Sequence, residues 1–383
     1  MNSDPAAAHR ELREMVREFA TEVVRPLAAR TDHEHRFPEE ALSAAAELDL
    51  MGILVPEEYG GAGLDHLAFA IAIEEVATAC ASTAVLLDVH NSVAAEPIVL
   101  FGTEEQKRQW LPRLASGELL GAFALTEPSS GSDAAALKMT ARRHGGEYVL
   151  NGTKVFITGV GRAGMYLVFA RTDPEQAGAS GVSCFIVPGD AAGLRPGQVF
   201  TKMGLNGSPT GELVLEDVRV PVANLLHLEG KGFTVAMRAL DSGRIGISAQ
   251  ALGIGQGAFN EARVFTRERE QFGQPVAAFQ GVTWMLADMA TRLEAARRLV
   301  YHAADLCTRG LPFTKEASMA KVFTTDAAMA VAIDAVQLAG GYGFTEDLPL
   351  ERFFRDAKAC QIYEGSNQVQ RIVIARELLR QTR

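Results

Sequence analysis

Between residues 121 and 225 the apolar residues of this chain fall into a period near two. On both sides they recur every three or four residues. Few folds place a strand-rich module between two helical ones. Ahead of it, Leu12, Met15, Val16, Phe19 and Val23 mark one face of a helix running from about His9 to Arg30. Pro56 and Gly60–Gly61–Ala62–Gly63 then form a loop, and helices resume through Phe69–Ile73–Val76 and Val85–Val89. Within the module, Glu147–Leu150, Lys154–Thr158, Tyr166–Ala170, Cys184–Val187 and Glu212–Leu215 are short and β-rich. The pairs Asn151–Gly152, Asp173–Pro174, Pro188–Gly189 and Pro196–Gly197 read as the turns between them. No helical segment alternates with these strands, which argues against a parallel doubly wound sheet and for a small barrel or sandwich. Beyond the module, Phe279–Arg309 and Ala317–Leu338 read as long helices of a bundle. The expected chain is a multidomain α+β protein: an N-terminal α-helical domain over 1–120, a middle β domain over 121–225 and a C-terminal helical bundle over 226–383.

Charge and cysteine usage narrow the partners. With 37 Lys and Arg against 47 Asp and Glu, the net charge of −10 speaks against nucleic acid, which needs a clustered basic excess. It leaves room for an anionic ligand in a local basic pocket. Cys80, Cys184, Cys307 and Cys360 lie far apart without a C-x-x-C pair, so buried thiols in a reducing compartment are expected, with no metal site. No apolar run reads as a membrane span, because Asp326 and Asp334 interrupt the Ala-rich stretch near Met329. The first residues lack an apolar signal core and mix Glu11, Glu14, Glu18 and Glu22 with arginines, so a bacterial cytoplasmic address is expected.

Some patterns mislead. Gly253–Ile254–Gly255–Gln256–Gly257–Ala258 spells the dinucleotide-binding fingerprint, but it follows a helix and no parallel strands surround it. Close packing of two helices accounts for it better. His33, Glu34 and His35 form a solvated loop and not a metal site. There is no P-loop, no H-E-x-x-H and no G-x-S-x-G.

Four segments look more purposeful. Phe123–Ala124–Leu125–Thr126–Glu127–Pro128–Ser129–Ser130–Gly131–Ser132–Asp133 could offer backbone N–H groups to an anionic or heteroaromatic ligand, although an ordinary Pro/Ser/Gly turn is the simpler account. Phe156, Ile157 and Thr158 end a strand with an aromatic and a hydroxyl that can stack on and hydrogen-bond a flat ring, as a plain edge strand would also read. Arg267–Gly273, with Phe279–Gln280 close behind, offers an Arg fork suited to pyrophosphate or simply a charged helix end. Gln337–Leu338–Ala339–Gly340–Gly341 admits close backbone approach, and Tyr363–Glu364–Gly365–Ser366–Asn367 carries a carboxylate just before a helix. Glu364 could be a capping acid or a general base, and its letters alone do not separate the two.

Taken together and in this order, these segments resemble the acyl-CoA dehydrogenase family from about Ala8 to the end of the chain. The run Lys202–Met203–Gly204–Leu205–Asn206–Gly207–Ser208–Pro209–Thr210 adds to the likeness, which is greatest to short-chain and branched short-chain members of the butyryl-CoA dehydrogenase type. The resemblance implies a C-terminal four-helix bundle and a homotetramer with one FAD per subunit. It implies that Phe123, Leu125, Thr126, Ser132, Phe156, Ile157 and Thr158 line the flavin. Arg269, Gln271, Phe272 and Gln280 would contact the FAD of a neighbouring subunit. Gln337, Leu338, Gly340 and Gly341 would hold its adenine side, and Ser366 and Asn367 would close over the flavin. Ser132, Asp241, Arg244, Glu364 and Gly365 would meet the acyl-CoA. Phe156 stands where the family often has Trp, and Ser366 where Thr is commoner.

The implied reaction is α,β-dehydrogenation of a short or branched acyl-CoA to the trans-2-enoyl-CoA, in fatty-acid β-oxidation or branched-chain amino-acid catabolism. Glu364 would take the α-proton, and electrons would pass to an electron-transferring flavoprotein. Some members carry the base directly before the arginine matching Arg244; here that position is Gly243, which has no side chain to act. The rivals are a flavin oxidase or monooxygenase on the same fold, and a non-catalytic scaffold. Leu87, His90 and Ile98 are candidates for the acyl pocket, with buried core the equal alternative for Leu87 and Ile98.

Overall fold

A computed structural model of the chain describes residues 5–380. Its N-terminal part is helical: α1 (Pro5–Phe19), α2 (Arg25–His33), α3 (Glu39–Glu47), α4 (His66–Ala77), α5 (Ala81–Asp88), α6 (Glu96–Phe101) and α7 (Glu104–Ala115). The expected first helix is interrupted by a π-helical turn at Ala20–Val24, and a second π segment, Val89–Ala95, joins α5 to α6. Such widened turns re-aim the side chains that follow and recur at functional sites. The start of α7 is set by its sequence: Thr103 Oγ1 accepts from Gln106 N at 3.3 Å, and Gln106 Oε1 accepts from Thr103 N at 3.0 Å.

Eight strands follow: β1 (Gly121–Ala124), β2 (Thr140–His144), β3 (Glu147–Thr158), β4 (Met165–Arg171), β5 (Val182–Pro188), β6 (Leu194–Val199), β7 (Thr210–Pro221) and β8 (Leu225–Leu226). They join in the order β6-β7-β3-β2-β4-β5-β8, with β1 parallel to β4. A single residue pair, Thr140 with Arg171, links β2 to β4, so the sheet divides into two halves. Tyr166, Val168, Ala170, Phe185 and Val187 pack against Leu150, Leu213, Val218 and Val220 of the other half. Met165, Leu167, Phe169, Cys184 and Ile186 face Trp110, Leu111, Leu114 and Val235 of the helices. Burial on both faces explains why Tyr166–Ala170 shows no alternation.

Two expected turns are something else. Asn151–Gly152 is a bulge inside the continuous strand β3, where Asn151 pairs with Asp217 of β7 through contacts of 2.8 and 3.0 Å. Pro196–Gly197 lies within β6, an edge strand, where a missing N–H is tolerated.

The C-terminal part comprises α8 (Gly232–Glu268), a hairpin of β9 (Glu270–Gln271) and β10 (Gln274–Pro275), α9 (Gln280–Thr308), α10 (Thr314–Ala339), α11 (Leu350–Cys360) and α12 (Asn367–Arg380). The dinucleotide-like glycines sit in the middle of α8. A Cβ on Gly253 would lie 2.2 Å from the Glu74 carbonyl oxygen, and one on Gly257 2.7 Å from the Phe353 ring and the Thr78 carbonyl oxygen. All four cysteines are buried and unpaired.

One expectation is corrected. The helical segments Ala81–Phe101 and Thr314–Phe344 are long and apolar enough to cross a membrane, since one or two lone acids do not change the average over a window. Most of the first is buried inside the protein, and half of the second.

Candidate active site

Glu364 lies in the link between α11 and α12, with a left-handed backbone (φ +53°), followed by Gly365 at φ +88°. A residue with a Cβ costs about 1–2 kcal/mol there, so the conformation has to be imposed. Neighbouring side chains impose it. Lys321 Nζ, from α10, donates to the Gly365 carbonyl and to Asn367 Oδ1, each at 2.9 Å. Gln370 Nε2 donates to the carbonyls of Glu364 (3.2 Å) and Gly365 (3.0 Å). Tyr363 Oη donates to Gln250 Oε1 of α8.

The carboxyl thus points at α8, where a Cβ on Gly243 would lie 2.5 Å from Glu364 Oε2 and 2.8 Å from Val93 Cγ1. The absent side chain at 243 is what makes room for Glu364. Oε2 is shielded from solvent and has no protein partner. Burial pushes this carboxyl up to about 7, against the opposing pull of Lys321 and Arg244. Around it Val85, Val89, Val93 and Ala239 form an apolar wall with Phe123 and Tyr363. Asp88 lies against Gly246, one turn further along α8, close enough to feel the charge of Glu364. Two residues before Gly243, Asp241 accepts from Arg244 Nη1 at 2.5 Å and from Thr314 Oγ1 at 2.6 Å. Asp241 also lines an open cavity of about 450 Å³ with Ser180, Lys231, Thr234 and Arg238.

The loop after β1 is locked to β3 by a buried ion pair. Lys154 Nζ donates to Glu127 Oε1 at 2.8 Å and to the Leu125 carbonyl at 3.0 Å, while Glu127 also accepts from the backbone N–H groups of Lys138 and Met139. Burial pulls the Lys154 ammonium down to about 8 despite Glu127. At a shift of register between Lys154 and Ile157, Phe156 adopts φ +59° and turns its ring outward, 66% exposed and 5.2 Å from the Phe200 ring. Thr158 is half-buried opposite Thr210, and Ser132 is exposed in the loop.

Other expected contacts have different surroundings. The side chains of Leu125 and Ile157 are in the core, so any ligand meets only their backbone. Phe123 is half-buried with its ring 4.8 Å from that of Phe169. Ser366 Oγ accepts from Val369 N at 3.4 Å, capping α12. Asn367 is buried, with bonds to Lys321, Thr325 and Asp326 that employ both its polar atoms.

A second group gathers at the far end of α8. Arg269, Gln271, Leu338, Gly340 and Gly341 line one cavity of about 540 Å³ with Tyr342, whose ring centroid is 5.6 Å from the Arg269 guanidinium carbon. Gly340 has φ +57° and ψ −131°, and nothing lies within 4 Å of a Cβ added to it or to Gly341. Phe272 and Gly273 form the tight turn between β9 and β10, both with positive φ, leaving Phe272 92% exposed. Gln280 and Gln337 are exposed nearby in the chain but do not line the cavity.

Comparison with known proteins gives the family. The N-terminal, middle and C-terminal domains of acyl-CoA dehydrogenase match residues 6–118, 122–218 and 230–379. The chain belongs to the acyl-CoA dehydrogenase family. It is 49% identical to the short-chain specific acyl-CoA dehydrogenase of Clostridium acetobutylicum, over 96% of this chain and 97% of the relative. The structure of butyryl-CoA dehydrogenase from Megasphaera elsdenii superimposes with a TM-score of 0.96 at 42% identity, covering 99% of this chain and 100% of that one. A chain from a structural study of the electron-transferring flavoprotein of Acidaminococcus fermentans does so with a TM-score of 0.96 at 48% identity, covering 97% and 98%.

Family membership makes this an FAD-dependent oxidoreductase acting on the CH–CH bond of an acyl-CoA. The residues fit that cofactor. The outward-turned Phe156 offers a flat face, Arg269 a phosphate-binding fork, and the open Gly340–Gly341 backbone a surface that a side chain would block.

Sequence reading missed Asp88, Lys321 and the valine wall. Asp88 follows Ala84–Val85–Leu86–Leu87 as a lone charge in an apolar stretch, and Lys321 shares the Ala-rich run Ala317–Ala328 with a single other charge, Asp326. That was the available signal. Leu87, His90 and Ile98, named instead, are all core residues. His90 donates from Nε2 to the Leu114 carbonyl and accepts from Gly121 N at Nδ1, and burial pulls its imidazole down to about 4.

Proposed function

We propose that this chain dehydrogenates short-chain acyl-CoA thioesters between Cα and Cβ, with Glu364 as the base that takes the α-proton. The observation that carries the reading is the Glu364 carboxyl itself: its Oε2 is shielded from solvent and without a protein partner, its backbone is held by Lys321 and Gln370, and burial pushes it up to about 7. The names of the Clostridium and Megasphaera relatives support the short acyl chain.

The parts divide as follows. Asp241 and Arg244, beside the open cavity at Lys231 and Arg238, receive the CoA portion, whose anionic groups suit that local basic surface. The Glu364 backbone N–H polarises the thioester carbonyl so that charge developing on its oxygen is stabilised as the α-proton leaves. Val85, Val89, Val93 and Tyr363 exclude water from the carboxylate. Phe156 and Thr158 place the flavin, which supplies the acceptor for the β-hydrogen and its electron pair. An electron-transferring flavoprotein takes the electrons onward, in keeping with the Acidaminococcus neighbour.

The assembly is a homotetramer in this reading. Gly243 and Glu268 are separated along α8 by about 38 Å of helix at 1.5 Å per residue, longer than an extended flavin dinucleotide. The Arg269–Gly341 cavity and the Glu364 site therefore serve one cofactor only when two copies each contribute one of them.

The test is Glu364→Gln. The purified variant should stay yellow with bound FAD, while anaerobic bleaching by butyryl-CoA slows by about 10²–10⁴-fold. Bleaching at the wild-type rate would remove Glu364 as the base, and rapid peroxide release on exposure to air would favour an oxidase.

A further inference from the structure

Glu364 is not the only residue over this face of α8 with a shielded, unpartnered carboxyl oxygen. Asp88, the last residue of α5, is fully buried; its Oδ1 accepts from Ser92 Oγ at 2.8 Å, and its Oδ2 is shielded from solvent and has no partner. It leans on Gly246, where an added Cβ would lie 1.9 Å from Asp88 Oδ1. Gly243 makes the same accommodation for Glu364. Residues three apart on a helix are neighbours on one face, about 5–6 Å between Cβ positions. Two glycines thus leave notches one turn apart on α8, each occupied by a carboxyl.

The order along this face of α8 has a direction. Asp241 borders the open cavity, Gly243 meets Glu364, and Gly246 meets Asp88. A thioester entering from the cavity, with its α-carbon at Glu364, points its far end along this face toward Asp88. About 5 Å separates the two glycine positions, the reach of three to four bonds. The wall between is Val85, Val89, Val93 and Ala239, none of which can pair with Asp88 Oδ2.

We propose that Asp88 forms a polar end to the acyl pocket, so that this chain takes acyl thioesters bearing a hydroxyl three or four bonds beyond the α-carbon. The inference rests on the reading of Glu364 as the residue that meets that α-carbon. A hydroxyl pairs with Oδ2, whereas a plain alkyl terminus of the same size seals it unpaired. A terminal carboxylate is rejected by the charge of Glu364. Burial, then that same charge, holds the Asp88 carboxyl protonated well above the usual range, so it exchanges hydrogen bonds with a neutral hydroxyl in either direction.

The test uses CoA thioethers, which lack the carbonyl and cannot be dehydrogenated, titrated into the FAD-loaded enzyme by calorimetry. S-(4-hydroxybutyl)-CoA is compared with S-pentyl-CoA, and S-(5-hydroxypentyl)-CoA with S-hexyl-CoA. Wild type should bind the better hydroxylated member about tenfold more tightly than its alkyl partner. Asp88→Val should erase or reverse that preference, and Asp88→Asn should keep it, with flavin absorbance and melting temperature showing that both fold. Wild type preferring the alkyl member of both pairs overturns the proposal by itself, as does a preference unchanged in Asp88→Val. Failure of butyryl-CoA to bleach the flavin while these ligands bind would strike the dehydrogenase reading and leave the binding preference standing.

Discussion

Glu364 can act only as its carboxylate, so the rate of flavin reduction should follow its titration. Because burial raises it to about 7, the rate should rise with pH through that value and level off above it. Anaerobic stopped-flow from pH 5.5 to 9 measures this, and a flat profile would mean that another group limits the rate. Lys321 pulls the same titration downward and also holds the Gly365 carbonyl. Lys321→Met should therefore move the midpoint up and slow reduction about 10–100-fold at pH 7 while FAD stays bound. The same shift has a stability sign. A carboxyl that binds its proton more tightly when folded makes the folded state lose stability as pH rises from its unfolded value, about 4.3, to about 7. Glu364→Gln removes that loss, so its advantage over wild type in denaturant melts should grow by about 1–3 kcal/mol between pH 4 and pH 8. An advantage constant with pH would show that the carboxyl is not so perturbed.

At the scale of elements, α8 does the positioning, and its small residues do so through absence. A Cβ on Gly253 would lie 2.2 Å from the Glu74 carbonyl oxygen. Gly253→Ala should lose more than about 2 kcal/mol in chemical denaturation, although alanine is the better helix former by about 1 kcal/mol. Gly281, in the first turn of α9 with nothing within 4 Å of an added Cβ, is the control: Gly281→Ala should be neutral or stabilising by up to about 1 kcal/mol. Equal losses at both sites would deny that close approach is what the α8 glycines provide. This also shows where sequence reading succeeds. Long periodic elements such as α9 and α10 are legible, because helical spacing and length leave little else. Asn151–Gly152 and Pro196–Gly197 are not. Turn letters also serve bulges and edge strands, and only the pairing with Asp217 and the edge position of β6 tell these uses apart. Of the site, Glu364 and Arg269 stand in distinctive local strings. Asp88 and Lys321 reach it through contacts across the fold, which no local string records.

For the whole molecule, the apolar surface is the unsettled account. Phe272 is 92% exposed and Phe344 85%, and both lie next to residues of the Arg269–Gly341 cavity. Large aromatics exposed beside a ligand site mark a surface that another chain covers. If that chain is a second copy bringing its own Glu364 site, assembly and cofactor retention are one property and should fail together. Phe272→Asp tests this without touching Glu364, Lys321 or the β-module loop. At position 272 the left-handed backbone of the hairpin turn tolerates Asp better than most residues, so the monomer should stay folded. Light scattering should show a smaller assembly than wild type, and the flavin-to-protein absorbance ratio should fall with it. A variant that stays assembled and fully yellow would place the interface elsewhere. One that dissociates yet keeps its full complement of FAD would show that a single chain holds the cofactor unaided, leaving the Arg269–Gly341 cavity without the role assigned to it.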